Sequence, residues 1–284
     1  MEMPEKGSIY VVDIKLLAEE EGELPPSGTY FRKIVIRALR SVDPLTIRSV
    51  LSSGLPITVS PFYRGPYPHV RCPAGPLPIV RGQEYKVRVV SSSSQVGEIL
   101  RGWLSSRQRV VIEGVPLEYR ESRVSEVSWD EIYSEEAVWS FRVRFLTPTS
   151  FRRSTTPYCR LFPLPSMLFG RLAAIWRRVS PYEAPDLREF VRWADLSVVE
   201  TGYDLCTIPP VRVDGEDLVG FLGWVNFKVI EHPNWSPDEH EELAAWTARL
   251  LRMGELTGVG AGRTHGMGII RFIPKPGINR EGEA

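Results

Sequence analysis

Near its C-terminal end the chain reads Gly258-Val259-Gly260-Ala261-Gly262-Arg263-Thr264-His265-Gly266-Met267-Gly268. Before this stretch, residues 239–253 repeat apolar side chains at helical spacing. After it, residues 267–273 read as a strand that Pro274 ends. The stretch therefore joins a helix to a strand. This order is the reverse of the strand–loop–helix order of dinucleotide and P-loop sites, and it argues against both.

The residues of this stretch predict an anion-binding loop. Glycine takes positive φ and lets backbone N–H groups approach a ligand closely. Arg263 in the middle of the loop indicates that the ligand is an anion. The alternative is that the glycines only make a tight turn, but five glycines together with an arginine and a histidine favour a ligand. The five are Gly258, Gly260, Gly262, Gly266 and Gly268.

This loop resembles the glycine-rich signature of the RAMP superfamily of CRISPR-associated proteins, in which two glycine–apolar–glycine triplets flank five residues that include a basic one. Within that superfamily, the chain resembles the endoribonucleases that cut CRISPR precursor RNA within its repeats. Four further segments fit the same resemblance: residues 56–61 as the second strand, 145–152 as a strand exit, 164–166 before a helix, and 220–224 within a strand.

Length and composition describe a globular protein of two domains. The chain has 284 residues, of which 43% are hydrophobic and 25% are charged. No apolar run is long enough to cross a membrane and residues 1–6 do not open a signal peptide, so we expect a cytoplasmic protein without a membrane partner. Cys72, Cys159 and Cys206 are odd in number and far apart, which predicts buried thiols and no disulfide framework.

Charge is segregated along the chain although the net charge is +0. No acidic residue lies between Glu136 and Glu183. A neutral protein with segregated charge can present a basic face to phosphate, and arginine binds phosphate with a two-pronged fork. The arginines of this acid-free stretch are Arg142, Arg144, Arg152, Arg153, Arg160, Arg171, Arg177 and Arg178.

The order of predicted elements is β-α-β-β-α-β in each half, which is the ferredoxin-like unit. In the first half the strands are 8–17, 57–63, 84–90 and one beginning at 109–115, and the helices are 29–40 (capped by Ser27), a short one over 44–51, and 95–104. In the second half the strands are 139–146, 196–203, 219–229 and 267–273, and the helices are 165–179, 185–193 and 239–253.

We therefore predict an α+β fold of two tandem ferredoxin-like (RRM-like) domains, residues 1–134 and residues 135–284. The resemblance implies the same two domains, with the glycine-rich loop at the cleft between them.

The resemblance also implies the chemistry. The ribose 2′-OH attacks the adjacent phosphate without a metal or another cofactor, and leaves a 2′,3′-cyclic phosphate and a 5′-OH. Such a reaction needs a proton acceptor, a proton donor and cations around the phosphate. The implied partner is CRISPR repeat RNA, and a homodimer or other CRISPR effector subunits stay open. The competing function is a non-catalytic RNA-binding RAMP protein of a CRISPR complex.

Many members of this family use a histidine and a tyrosine near the first helix together with a lysine. Here no histidine precedes His69, so the chain departs from that pattern. The candidate catalytic residues are Tyr30, Lys33, Arg263 and His265. Each has an alternative: Tyr30 can simply pack at the helix start, and His265 can be a surface side chain.

The candidate RNA-binding residues are basic side chains and the five glycines of the loop. Arg32, Arg152 and Arg153 are expected to contact the RNA backbone, and the alternative for them is a solvated surface. His69 is expected to be a loop histidine, in a proline-rich excursion that could reach the cleft.

Overall fold

The computed structural model describes residues 8–43, 48, 57–152, 156, 158–213 and 215–275. Most of the short helix predicted over 44–51 lies outside these residues, and so does Arg153. Among the helices that are described, none is long and apolar enough to cross a membrane.

The first half forms a main antiparallel sheet of five strands, a small sheet of two strands, and two long helices. Its elements are β1 (Ile9–Ala18), β2 (Gly22–Leu24), α1 (Thr29–Val42), β3 (Thr58–Val59), β4 (Leu77–Ile79), β5 (Glu84–Ser91), α2 (Ser94–Arg107), β6 (Arg109–Ile112), β7 (Val115–Val127) and α3 (Trp129–Tyr133). The strands of the main sheet lie in the order β3-β5-β1-β7-β6. Without β6, this is the 4-1-3-2 order of a ferredoxin-like unit.

The two long helices cover one face of this sheet because their apolar side chains recur at helical spacing. Phe31, Val35 and Leu39 of α1 are fully buried, and so are Val96 and Leu100 of α2. They pack into one core with the inward-facing side chains of β1 and β5. Burial of each large side chain of this kind stabilises the fold by about 1.5–3 kcal/mol.

The second half repeats this architecture. Its elements are β8 (Ser140–Thr149), β9 (Phe151–Arg152), β10 (Cys159–Arg160), α4 (Pro165–Val179), α5 (Leu187–Ser197), β11 (Val198–Val213), β12 (Glu216–Val229), α6 (Pro237–Thr257) and β13 (Ile270–Pro274). The main sheet has the order β11-β12-β8-β13. If β8, β11, β12 and β13 are counted as strands 1 to 4, this is again the order 4-1-3-2 when read from β13. A capping box between Ser236 and Glu239 starts α6.

Several element boundaries differ from the sequence-based predictions. The strand predicted over 109–115 is a hairpin instead, and its second strand, β7, is the one that pairs with β1. Only Thr58–Val59 forms regular strand within the predicted 57–63. Ser27 does not cap α1, because the cap position is Gly28. A Cβ on Gly28 would lie 1.9 Å from the carbonyl oxygen of Val59, so only glycine fits there.

The prediction for the cysteines was wrong. Cys72 and Cys206 form a disulfide with a Cα–Cα distance of 6.7 Å, although they are 134 residues apart in sequence. Cys72 is exposed, and Cys159 is a half-buried free thiol. The disulfide joins a loop of the first half to β11 of the second half. Spacing along the chain did not reveal it because the fold alone brings the two residues together.

The halves also meet through hydrogen bonds and apolar contact. Val70 N donates to the Leu146 carbonyl at 2.7 Å, and Val11 and Val90 of the first sheet pack into the core of the second half. The domain boundary at Ser134 stays a prediction. The short helix α3, which lies before that boundary, places Trp129 in the second core.

Candidate functional site

The glycine-rich loop, residues 258–268, is fixed by backbone hydrogen bonds at both ends. Val259 N donates to the Gly268 carbonyl at 2.8 Å, so the loop closes on itself. Gly268 N donates to Pro148 at 2.9 Å, and Ala261 N donates to Ser150 at 2.9 Å. The loop therefore lies against the end of β8, and a single turn of 3₁₀ helix, Arg263–His265, forms its middle.

Close backbone packing requires glycine at several positions of this loop. All five glycines have φ between +70° and +77°. A Cβ would lie 2.3 Å from the Ser150 oxygen at Gly260, 2.5 Å from the Val59 oxygen at Gly266, and 1.7 Å from the Val259 oxygen at Gly268. These glycines thus let the loop dock on its neighbours. Their predicted contact with RNA stays a prediction.

Part of the loop still offers hydrogen-bond donors. Within the described part of the chain, the backbone N–H groups of Gly260, Gly262, Arg263 and Thr264 donate to no protein acceptor. Successive N–H groups around left-handed and right-handed residues form a concave anion site. These four amides can therefore donate hydrogen bonds to phosphate oxygens.

An arginine-lined cavity of about 230 Å³ borders the same segment of the loop. Arg152 follows β8, Arg171 and Arg178 come from α4, and Arg263 comes from the loop. Among the described residues that line the cavity there is no carboxylate. Arg152 has a carboxylate partner outside this lining, whereas Arg178 and Arg263 repel each other across the cavity, and a bound anion would offset that repulsion.

Arg263 is held within this arginine cavity. Its Nη1 donates to the Thr257 carbonyl at 3.3 Å. Burial of the guanidinium, and then the positive charge of Arg178, lower the pKa of Arg263. Both causes disfavour the charged form, and a bound phosphate would offset both.

The other three arginines differ in what they contact. Arg171 Nη2 donates to the Arg152 carbonyl at 2.8 Å, which ties α4 to the end of β8. Arg152 forms an exposed ion pair with Glu216. Arg178 and Arg171 are both exposed, seven residues apart on one face of α4.

Arg152 and Arg263, which the sequence predicted as candidate site residues, line this cavity, and so do Arg171 and Arg178, which it did not predict. Both lie in the acid-free stretch, and their seven-residue spacing was visible. What the sequence lacked was the information that the glycine-rich loop packs against this face of α4. The structure brings the four together.

Tyr30 and Lys33 lie in the first turn of α1. Lys33 Nζ lies 5.3 Å from the centre of the Tyr30 ring. Partial desolvation, and then the carboxylate of Glu113, raise the pKa of Tyr30, so the phenol is protonated at neutral pH. Arg32 N donates to the Gly28 carbonyl at 2.8 Å within the same turn.

His265 connects the glycine-rich loop to this helix. Its carbonyl accepts a hydrogen bond from Gly28 N at 2.8 Å, directly before α1 begins. Its Nδ1 lies 3.0 Å from Thr264 Oγ1. The structure therefore brings the loop that carries Arg263 and His265 to the N-terminal end of the helix that carries Tyr30 and Lys33.

Comparison with known proteins gives a family match in the second half. Residues 143–270 match the model of the CRISPR-associated endoribonuclease Cas6. A curated CRISPR-associated endoribonuclease Cas6 from Mycobacterium tuberculosis is 30% identical over 145 residues. That match covers 50% of this chain and 41% of the relative, so the chain spans about two fifths of the curated relative's length.

Solved structures share the fold over nearly the whole chain. A Cas6 product complex superposes with a TM-score of 0.72 at 20% identity, and covers 93% of this chain and 100% of its own. Thermus thermophilus Cas6 gives a TM-score of 0.67 at 19% identity, with 94% and 99% covered. The predicted fold of two ferredoxin-like units is therefore confirmed, and the second half of the chain is similar to the CRISPR-associated endoribonuclease Cas6.

Proposed function

We propose that this chain is a metal-independent endoribonuclease that cuts CRISPR precursor RNA within its repeats. The arginine cavity carries the proposal, because four arginines and no carboxylate stand among its described lining residues, which fits an RNA phosphate. The family match over residues 143–270 supports the same substrate class. The proposed partner is CRISPR repeat RNA, in the cytoplasm, where precursor RNA is made.

In the proposed reaction the ribose O2′ forms a bond to phosphorus and the bond from phosphorus to O5′ breaks. The 2′-OH proton goes to an acceptor, and O5′ receives a proton as it leaves. The arginine cavity and the amides of residues 260 and 262–264 stabilise the charge that develops on the phosphate. Arg263 belongs to both groups.

The proton transfers are assigned to side chains near the contact between the loop and α1. His265 is the proposed proton acceptor, because an imidazole titrates near neutral pH. Tyr30 is the proposed donor, because its phenol carries a proton at neutral pH. Lys33, beside Tyr30, is proposed to add positive charge, and Arg32 to contact the RNA backbone.

The experiment that tests this function is cleavage of repeat RNA, transcribed from a CRISPR array of the same genome, in the presence of EDTA. Cutting at one position, abolished by a 2′-deoxy substitution at that position, supports the nuclease. Cutting that needs added metal contradicts the mechanism. Tight binding without cutting selects the alternative, a non-catalytic RNA-binding subunit, which the absence of a histidine before His69 favours.

His265→Ala is expected to slow cleavage by roughly 10²-fold and to leave RNA affinity nearly unchanged. The contact with α1 should persist, because it uses the backbone carbonyl of His265 and not the ring. Thr264→Val is the matched control: it removes the hydroxyl beside Nδ1 and keeps the imidazole. The two rates are compared at saturating enzyme in single-turnover assays. An unchanged rate for His265→Ala would remove this residue from the reaction.

A further inference from the structure

A second cavity, of about 740 Å³, lies between the proline-rich loop, residues 64–76, and the chain segment that follows β3. Its walls include Pro26, Pro61 and Phe62, and three basic side chains also line it. The three are Arg64, His69 and Arg71. None of the described residues that line this cavity, which we call the proline cavity, is acidic.

The proline cavity adjoins the glycine-rich loop. Pro26 lies two residues before Gly28, whose N–H bonds to His265. Pro61 Cδ lies 2.6 Å from the position that a Cβ would take on Gly266. The arginine cavity borders the same loop at Gly260 and Arg263. One short loop thus separates two cationic cavities.

The chemistry of the proline cavity fits a single nucleotide. The exposed proline rings of Pro73 and Pro76 can pack against a base. The exposed side chains of Arg64 and Arg71 can bind a phosphate. The volume lies in the range of about 300–1,000 Å³ that is typical of ligand sites. Proteins read single-stranded RNA through bases that are unstacked and held in this way.

His69 gives this cavity a group that can read a base. Partial burial, and then the charges of Arg144 and Arg71, lower the pKa of His69. The ring is therefore neutral at neutral pH, and one nitrogen can donate a hydrogen bond while the other accepts one.

The cavity wall is held in place before any ligand binds. Val70 N donates to the Leu146 carbonyl at 2.7 Å, and the disulfide between Cys72 and Cys206 ties the loop to β11. A wall that is already ordered loses little conformational entropy when a ligand binds.

We propose that the proline cavity binds one unstacked nucleotide of the RNA, with its base against the proline wall and a phosphate on Arg64 or Arg71. This site is separate from the arginine cavity at the cut. It rests on the proposed function, because it assumes that the chain binds RNA.

The test combines RNAs that carry a single abasic site with two variants of the protein. Gly75 lines the cavity, and no atom of the described residues lies within 4 Å of an added Cβ, so Gly75→Leu adds bulk at the cavity with no clash at its Cβ. The parent should lose roughly 10-fold in RNA affinity when the abasic site falls at one particular position. Gly75→Leu should show the same loss on intact RNA and no further loss on that abasic RNA.

His69→Ala should also weaken binding and reduce the penalty of the abasic site. Arg81→Ala is the matched control for loss of surface charge, since Arg81 is exposed and does not line the cavity. A parent protein that binds and cuts RNA with no position sensitive to base removal overturns the nucleotide site and leaves the proposed function standing. A parent protein that binds no repeat RNA overturns both.

Discussion

Replacing Arg171 and Arg178 together by alanine is expected to weaken repeat-RNA binding by roughly 10²-fold or more, because each removes a charge-assisted contact to phosphate. The free energy of unfolding should change by less than about 1 kcal/mol. The double variant loses the hydrogen bond from Arg171 to the Arg152 carbonyl. It also gains helix propensity and relieves repulsion among like charges in the arginine cavity. Fluorescence anisotropy and chemical denaturation measure the two quantities.

Arg177→Ala provides a matched control. Arg177 lies on the same helix next to Arg178 and is exposed, but it does not line the arginine cavity and donates to the Pro185 carbonyl instead. Arg177→Ala and the single variant Arg178→Ala each remove one positive charge from α4, so a general electrostatic effect would be the same for both. Arg178→Ala should cost distinctly more affinity than Arg177→Ala. Equal losses would contradict a phosphate site in the cavity.

The salt dependence of binding separates a phosphate contact from a change of shape. On single-stranded RNA, each lost contact should reduce the slope of log K against log salt by about 0.7, so the double variant should lose about 1.4. Arg263→Ala should reduce this slope by a similar amount as each single contact and should lower the rate of RNA cleavage. It should also cost some stability, because Arg263 is half-buried and bonded to the Thr257 carbonyl. An unchanged slope would mean that these arginines do not meet phosphate.

The fold was predictable because its signals are local. Apolar side chains at helical spacing identified α4 and α6, and alternation identified β5. The hairpin of β6 and β7 was missed because most of β7 after Leu117 is exposed or half-buried. A strand that does not bury one face loses the alternation on which sequence-based prediction depends.

The site was predictable only in part, for a related reason. The glycine-rich loop with Arg263 and His265 is contiguous in sequence, so its pattern identified it. The arginine cavity gathers residues from β9, α4 and the loop, and the disulfide joins Cys72 to Cys206 across 134 residues. The cavity depends on how the glycine-rich loop packs against α4, and the disulfide depends on how the proline-rich loop packs against β11. No local sequence pattern encodes either contact.

Gly268→Ala is expected to cost more than about 4 kcal/mol in the free energy of unfolding. The added Cβ would lie 1.7 Å from the Val259 oxygen and 2.8 Å from the Val259 carbonyl carbon. Both are backbone atoms, so no side-chain rotation can relieve the clash. Relief requires breaking the bond from Val259 N to the Gly268 carbonyl or that from Gly268 N to Pro148. Either change shifts the segment of the loop that borders the arginine cavity, so the folded fraction should also cut RNA more slowly.

Gly82→Ala shows how much of this loss comes from backbone strain alone. Gly82 has φ +77°, against +70° at Gly268, and no heavy atom lies within 4 Å of its added Cβ. The left-handed backbone should cost Gly82→Ala about 1–2 kcal/mol and leave cutting unchanged. The difference between the two variants then measures the close approach of the loop to itself. If both variants unfold at the same denaturant concentration, the loop does not depend on that approach, and the packing role assigned to its glycines is wrong.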